Sequence, residues 1–281
     1  MTKATIIIPA HNENTVIART LEFLSKGLSF DDFKVIVVAN GCSDATASKA
    51  RAALSSATVI ETDQPGKCNA LNMAYAVSET SAPIICLDAD LEVTSDSLKA
   101  LIAPFEDGKT LATCGRMVVQ SSKASHLVRV FYNGWKSNPY FGEGKFGGLF
   151  ALSPEGAKRV FPLPLITADD EYIRRSFDEE ERVFVGNCSF TAHAPRSLKS
   201  LVHVRKRSLR GAREVSLMGL PSPEKGSHLR MLIAALRKPR SGAAIAWFML
   251  LSTFIRTLLI FEPRSQKVTW ERDLTARTVE Q

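Results

Sequence analysis

Two aspartates one residue apart, Asp88-Ala89-Asp90, follow the apolar run Ile84-Ile85-Cys86-Leu87. Carboxylates at a strand end present hard oxygen ligands to Mg2+ or Mn2+, which also take substrate phosphate oxygens. The same residues suit a helix N-cap with a solvated aspartate. Asn40-Gly41-Cys42-Ser43-Asp44 and Pro65-Gly66-Lys67-Cys68-Asn69 read as strand-to-helix turns, and a helix N-terminus there favours a phosphate or a polar nucleoside edge. Neither matches a Walker A loop or GxGxxG, which disfavours nucleotide hydrolysis by that route and NAD binding. Asp169-Asp170-Glu171 offers a general base, or an acidic first turn that favours the helix macrodipole. Arg205, Arg207 and Arg210 suit either a diphosphate or an anionic lipid.

The elements that must position these groups are legible as alternation. Apolar runs at 4–8, 35–38, 58–61 and 83–87 read as strands, and helical patterns fill 13–26, 44–55 and 67–78. Strands alternating with helices imply βαβ units and a mostly parallel sheet. In such sheets ligands bind at the carboxyl ends of the strands, where these motifs fall.

Of 281 residues, 45% are hydrophobic and 23% charged, which excludes a disordered chain and a disulfide scaffold. The five cysteines form no CxxC pair, which suggests neither a zinc site nor a disulfide framework and fits a reducing location. The first residues read as a strand rather than a signal peptide. The net charge of +7 is concentrated: residues 196–240 hold twelve basic and two acidic residues. That favours an anionic partner. No aromatics interleave the basic residues to stack bases, so nucleic acid is not expected. Ala243 to Phe261 is 19 residues with one charge, Arg256, about 28 Å as a helix. With the basic amphipathic stretch 229–238 beside it, it suits a membrane surface, spanning or lying on it. Pro221 to Gly226 marks the expected boundary between a catalytic domain, 1–220, and a membrane-associating helical appendage and tail, 221–281.

Taken together, four segments resemble glycosyltransferase family 2, the inverting enzymes of the Rossmann-like GT-A fold. Ile6 to Glu13 is similar to the family's first-strand motif, Val38 to Thr46 to its second, Gly66 to Asn72 to its G-K-x-x-A-L-N segment, and Asp88-Ala89-Asp90 to its metal-binding DxD. Downstream, Gly147 to Leu152 resembles the acceptor-side strand and Asp169-Asp170 the catalytic E-D motif, with Asp169 in place of Glu. The resemblance implies donor contacts from Pro9, His11, Glu13, Asn40, Lys67, Asp88, Asp90, Arg207 and Arg210. It implies Mn2+ or Mg2+ on Asp90 and Asp88, with His193 as a further ligand, and Asp170 as base beside Asp169. Ala39-Asn40 stands where many members carry an acidic pair reading the uracil edge; the Asn40 amide offers a donor and an acceptor. Val204 and Ser208 replace Gln and Trp of the processive Q-x-x-R-W signature, so transfer of a single sugar is expected. The implied reaction moves a sugar from a nucleotide diphosphate, a UDP-sugar first, to a lipid-linked or polysaccharide acceptor. Its place would be the cytoplasmic face of a membrane, in surface glycan synthesis. The competing reading is a non-catalytic nucleotide-sugar-binding or scaffold subunit, against which the intact Asp88, Asp90 and Asp170 stand. The Trp270 to Arg277 tail is similar to segments ending some polysaccharide transferases.

Overall fold

The computed structural model describes residues 3–137, 146–221 and 239–262. The first half is built of parallel βα units: β1 (Ala4–Ala10), α1 (Ile17–Ser25), β2 (Phe33–Asn40), α2 (Thr46–Ala53), β3 (Thr58–Thr62), α3 (Lys67–Ala76) and β4 (Ile84–Leu87). The expected strands and helices all form, with ends shifted by a few residues. The helix expected from residue 44 starts at Thr46, because the Asp44 carboxylate turns back to accept from the backbone N–H of Thr46 (3.0 Å) and of Asn14 (3.3 Å).

The second half is less regular. It runs β5 (Glu92–Val93), α4 (Ser95–Ile102), β6 (Ala112–Gln120), α5 (His126–Trp135), β7 (Leu149–Leu152), α6 (Pro154–Val160), α7 (Asp169–Arg175), β8 (Arg182–His193), α8 (Leu198–Leu217) and α9 (Pro239–Ile260). The eight strands among the described residues join one sheet in the order β3-β2-β1-β4-β7-β6-β8-β5. The β1–β2, β1–β4, β2–β3 and β6–β8 pairs are parallel; β4–β7, β6–β7 and β5–β8 are antiparallel.

β1 is buried along its whole length, as an unbroken apolar run requires when helices cover both faces of a sheet. Side chains alternate between the two cores. Ile6 and Ile8 pack with Leu21, Leu24 and Leu98 on one face, and Ile7 packs with Leu71, Ala74 and Ile173 on the other. Truncating any of these isoleucines to Ala costs about 2–5 kcal/mol. α6 shows how locally the starts are encoded: Ser153 accepts from Gly156 N at 3.0 Å and Pro154 stands at the first helical position. A Cβ on Gly156 would meet Leu111 O at 2.3 Å, so only glycine fits there.

A third apolar cluster lies beyond the sheet's far half. Val128, Phe131 and Trp135 of α5 pack with Ile245, Phe248, Leu251 and Ile255 of α9. Phe131 and Phe248 are 5.1 Å apart between ring centroids. Gly134 lets the two backbones touch; a Cβ there would lie 2.1 Å from Ala244 O. The opposite face of α9 exposes Leu250 and Phe254. Of the expected domain boundary only Pro221 is among the described residues; the 229–238 stretch and the 270–277 tail lie outside them.

Candidate active site

The loops after β1, β3 and β4 and the start of α7 meet around one cavity of about 520 Å³. Pro9, Glu13, Lys67, Asp88 and Asp90 line it from the first half of the chain. Asp169, Asp170, His193, Arg205 and Arg207 line it from the second. Residues separated by up to 205 positions in the chain, Pro9 to Glu214, therefore share one space: the parallel βα units put their loops at one end of the sheet, and residues of α7 and α8 reach that same end.

Lys67 is the hub. It is the first residue of α3, and the turn before it places Gly66 at φ 147°, in the region that favours glycine. Its Nζ lies 2.7 Å from Asp88 Oδ1 and 3.0 Å from Asp169 Oδ2. Burial works against the ammonium, but Asp169, then Asp88 and Asp170, outweigh it and hold Lys67 well above its ordinary pKa. Asp88 is pushed the other way, to a raised pKa, by burial against the attraction of Lys67 and with the repulsion of Asp169 and Asp90 added. Gly148 leaves room for this carboxylate: a Cβ on it would sit 2.6 Å from Asp88 Oδ2. Gly148 also accepts the Asp88 N–H at 2.8 Å.

α7 starts with the acidic triplet. Asp169 is 2% exposed and faces Lys67. Asp170 opens onto the cavity and its Oδ1 accepts from Glu171 N at 2.8 Å. Glu171 takes no part in the cavity. Arg174 Nη2 and Arg175 Nε reach Glu171 Oε1 at 3.0 and 2.7 Å, and Arg175 Nη1 continues to Ser216 Oγ at 3.0 Å on α8. Burial pushes the Glu171 pKa up, but the two guanidinium groups outweigh it and hold it below the ordinary value.

Among the described residues no three His, Cys, Asp or Glu gather as a metal cage. The chain offers the two carboxylates Asp88 and Asp90 on the cavity wall. That oxygen donor set, with further positions left for substrate phosphate and water, is what Mg2+ or Mn2+ takes, so the residues fit such an ion. His193 lines the same cavity. Its Nε2 lies 2.9 Å from Glu92 Oε1, which also faces Arg19 Nε at 3.2 Å.

Three residues expected to contact the donor do not line this cavity. Asn40 is fully buried. Its Nδ2 donates to Ala10 O at 2.8 Å and its Oδ1 accepts from Gly66 N at 3.0 Å, so it locks β2 to β1 and fixes the Lys67 turn. Its amide is used up inside the fold and does not line the cavity. The His11 ring lies 2.7 Å from the Asn40 carbonyl oxygen through Nδ1, and is likewise off the cavity wall. Arg210 is off it too and faces Glu262, just past α9, at 3.2 Å. Sequence reading missed Glu92, which follows Asp90 by two residues and reaches His193 only through the β5–β8 pairing. It also missed Glu214, which lines the cavity and accepts from Thr167 N at 3.0 Å.

A mixed sheet with helices on both faces and two carboxylates beside a strand end is an arrangement that can hold a nucleotide and a divalent cation. The glycosyl transferase family 2 pattern matches residues 5–150. The chain belongs to this family and is a glycosyltransferase. It is similar in structure to the mannosyltransferase PcManGT from Pyrobaculum calidifontis, solved in complex with GDP-Man and Mn2+. The TM-score is 0.61 at 21% identity, over 92% of this chain and 78% of that one. It is also similar to glucosyl-3-phosphoglycerate synthase from Mycobacterium tuberculosis, with a TM-score of 0.52 at 22% identity, over 78% of this chain and 82% of that one. The latter enzyme is also solved with Mn2+, UDP-glucose and phosphoglyceric acid. No curated protein matches the sequence.

Proposed function

We propose that this enzyme moves one sugar, with inversion, from a nucleotide diphosphate sugar to the hydroxyl of a lipid-linked or polysaccharide acceptor. The carrying observation is that Asp88, Asp90, Lys67 and Asp170 share one cavity although they come from three separate segments. Asp88 and Asp90 would hold Mn2+ or Mg2+, as the ions in the GDP-Man and UDP-glucose complexes of similar enzymes suggest. Such an ion would supply positive charge to offset that of the leaving diphosphate. Lys67 keeps Asp88 and Asp169 apart from mutual repulsion and adds a positive charge on the donor side. Arg205 and Arg207 extend that positive field along the cavity wall. Asp170 accepts the proton of the acceptor hydroxyl as it attacks the anomeric carbon from the face opposite the diphosphate. One displacement with one base inverts the anomeric centre.

In this reading residues 1–220 are the catalytic domain, and 221–281 an appendage that seats the enzyme on the cytoplasmic face of a membrane, in surface glycan synthesis. α9 is long and apolar enough to cross a bilayer over Gly242–Ile260, by length and composition. One face is taken by α5 and the other carries Leu250, Phe254 and Ile260. That division supports a helix lying in the interface, since a spanning helix would have to leave α5. A UDP-sugar is the first donor to try, with GDP- and dTDP-sugars beside it, because Asn40 is not available to read the base. Product analysis with the consumed donor tests the stereochemistry: a product with the donor's anomeric configuration retained contradicts the single displacement.

A further inference from the structure

The cavity has a wall that the donor chemistry does not use. Met117 and Val119, two apart on β6, point the same way, while Val118 between them is 46% exposed on the other side. Tyr132 and Trp135 stand one turn apart on α5, edge to face at 5.6 Å. Val204 closes the wall from α8. A sugar carries hydroxyls around its whole ring, and a wall whose side chains offer only the Tyr132 hydroxyl and the Trp135 indole N–H among methyl, thioether and ring carbon leaves most of them without a partner. A hydrocarbon chain has no such cost and gains about 0.8 kcal/mol for each methylene buried.

The wall is also the inner surface of the third apolar cluster. That cluster holds Val119, Tyr132 and Trp135 together with Ile245, Phe248 and Ile255 of α9. α5 thus presents Tyr132 and Trp135 to the cavity and seats on α9 the helix whose outer face is open and apolar. We propose that Met117, Val119, Tyr132, Trp135 and Val204 form the acceptor subsite for a hydrocarbon chain, so that the acceptor is an amphiphile with its hydroxyl head at Asp170. This rests on the transferase reading above and narrows its acceptor from lipid-linked or polysaccharide to the former.

The test is calorimetric titration of the whole chain, kept in a fluorinated surfactant, with n-hexyl and n-decyl β-D-glucopyranoside below their micellar concentrations. The decyl compound binds at least about tenfold tighter, since four added methylenes are buried. In Val204→Asn and in Met117→Asn that preference falls below about threefold, because each places an amide against the chain. Both positions are partly exposed, so neither substitution buries a polar group in a closed core. Equal affinity for the two glycosides overturns the proposal. So does a preference that survives both wall substitutions, or one that Leu250→Gln abolishes, which places the alkyl chain on the outside of α9. Donor consumption is scored separately, so a protein that prefers the longer chain yet consumes no donor contradicts the transferase reading and leaves the subsite standing.

Discussion

Lys67 Nζ lies 2.7 Å from Asp88 Oδ1, and the same ammonium reaches Asp169 Oδ2 at 3.0 Å. One cation thereby joins a carboxylate after β4 to the carboxylate that precedes Asp170 at the start of α7. The joint has a geometric origin in the turn before α3, where Gly66 at φ 147° and the Asn40 side chain aim the first helical residue into the cavity.

Replacing that cation leaves two carboxylates facing each other with only partial access to water. Lys67→Met destabilises the fold by about 3 kcal/mol, as expected when one partner of a mostly buried pair is removed. Thermal unfolding of the two proteins checks the loss, and nucleotide titration shows weaker donor binding in parallel. An unchanged midpoint contradicts the joint.

Asn40 gives the opposite separation of effects. Asn40→Ala strips a partner from Ala10 O and from the Gly66 N–H, at about 1–3 kcal/mol in stability. With Asn40 sealed in the fold, selectivity among UDP, GDP and dTDP is unchanged in the folded variant. Equilibrium urea unfolding and competition binding read the two quantities; a switch in base preference contradicts the inward placement.

The Glu171 pair carries a pH signature. Its folded pKa is lowered by Arg174 and Arg175, so its contribution to stability is complete above the unfolded carboxyl value, about 4.3. It is lost as pH falls through the folded value. Glu171→Gln removes about 3 kcal/mol at neutral pH by taking the carboxylate charge away from two mostly buried guanidinium groups. The gap between the two proteins narrows only below about pH 4. A gap that stays constant down to pH 2 rules out the ion pair as its source.

The outer face of α9 is the membrane test. Leu250→Gln with Phe254→Gln removes two exposed apolar side chains, each contributing up to about 2 kcal/mol when buried in an interface. Sedimentation with vesicles of mixed zwitterionic and anionic lipid drops by at least about tenfold, while unfolding is unaffected because neither side chain is packed. Equal sedimentation of both proteins contradicts the interfacial placement.

How far the sequence reached follows from the distance over which each feature is encoded. β1, β2 and β4 were readable because each is a short apolar run buried on both faces. The strand-end loops followed from the βα alternation alone. The β6–β8 pairing, with its irregularity between Gly115 and Arg116, joins segments some 70 residues apart and left no local trace. Glu92 was invisible for the same reason: β5 has two residues and acquires meaning only beside His193. The Asn40 side chain turns into the fold, an orientation the sequence left open, since a polar residue at a strand end can point either into the cavity or into the fold. The apolar wall of Tyr132 and Trp135 looks, in sequence, like any amphipathic helix face.

The most direct measurement is donor consumption by the purified protein with Mn2+, across UDP-, GDP- and dTDP-sugars, repeated with EDTA and with Asp90→Ala and Asp170→Asn. One donor is consumed, and EDTA or Asp90→Ala abolishes it. Asp170→Asn keeps nucleotide binding but slows transfer by roughly a hundred- to ten-thousand-fold. Consumption that survives both EDTA and Asp90→Ala, or transfer that survives Asp170→Asn at full rate, contradicts the assignment of the reaction to this cavity.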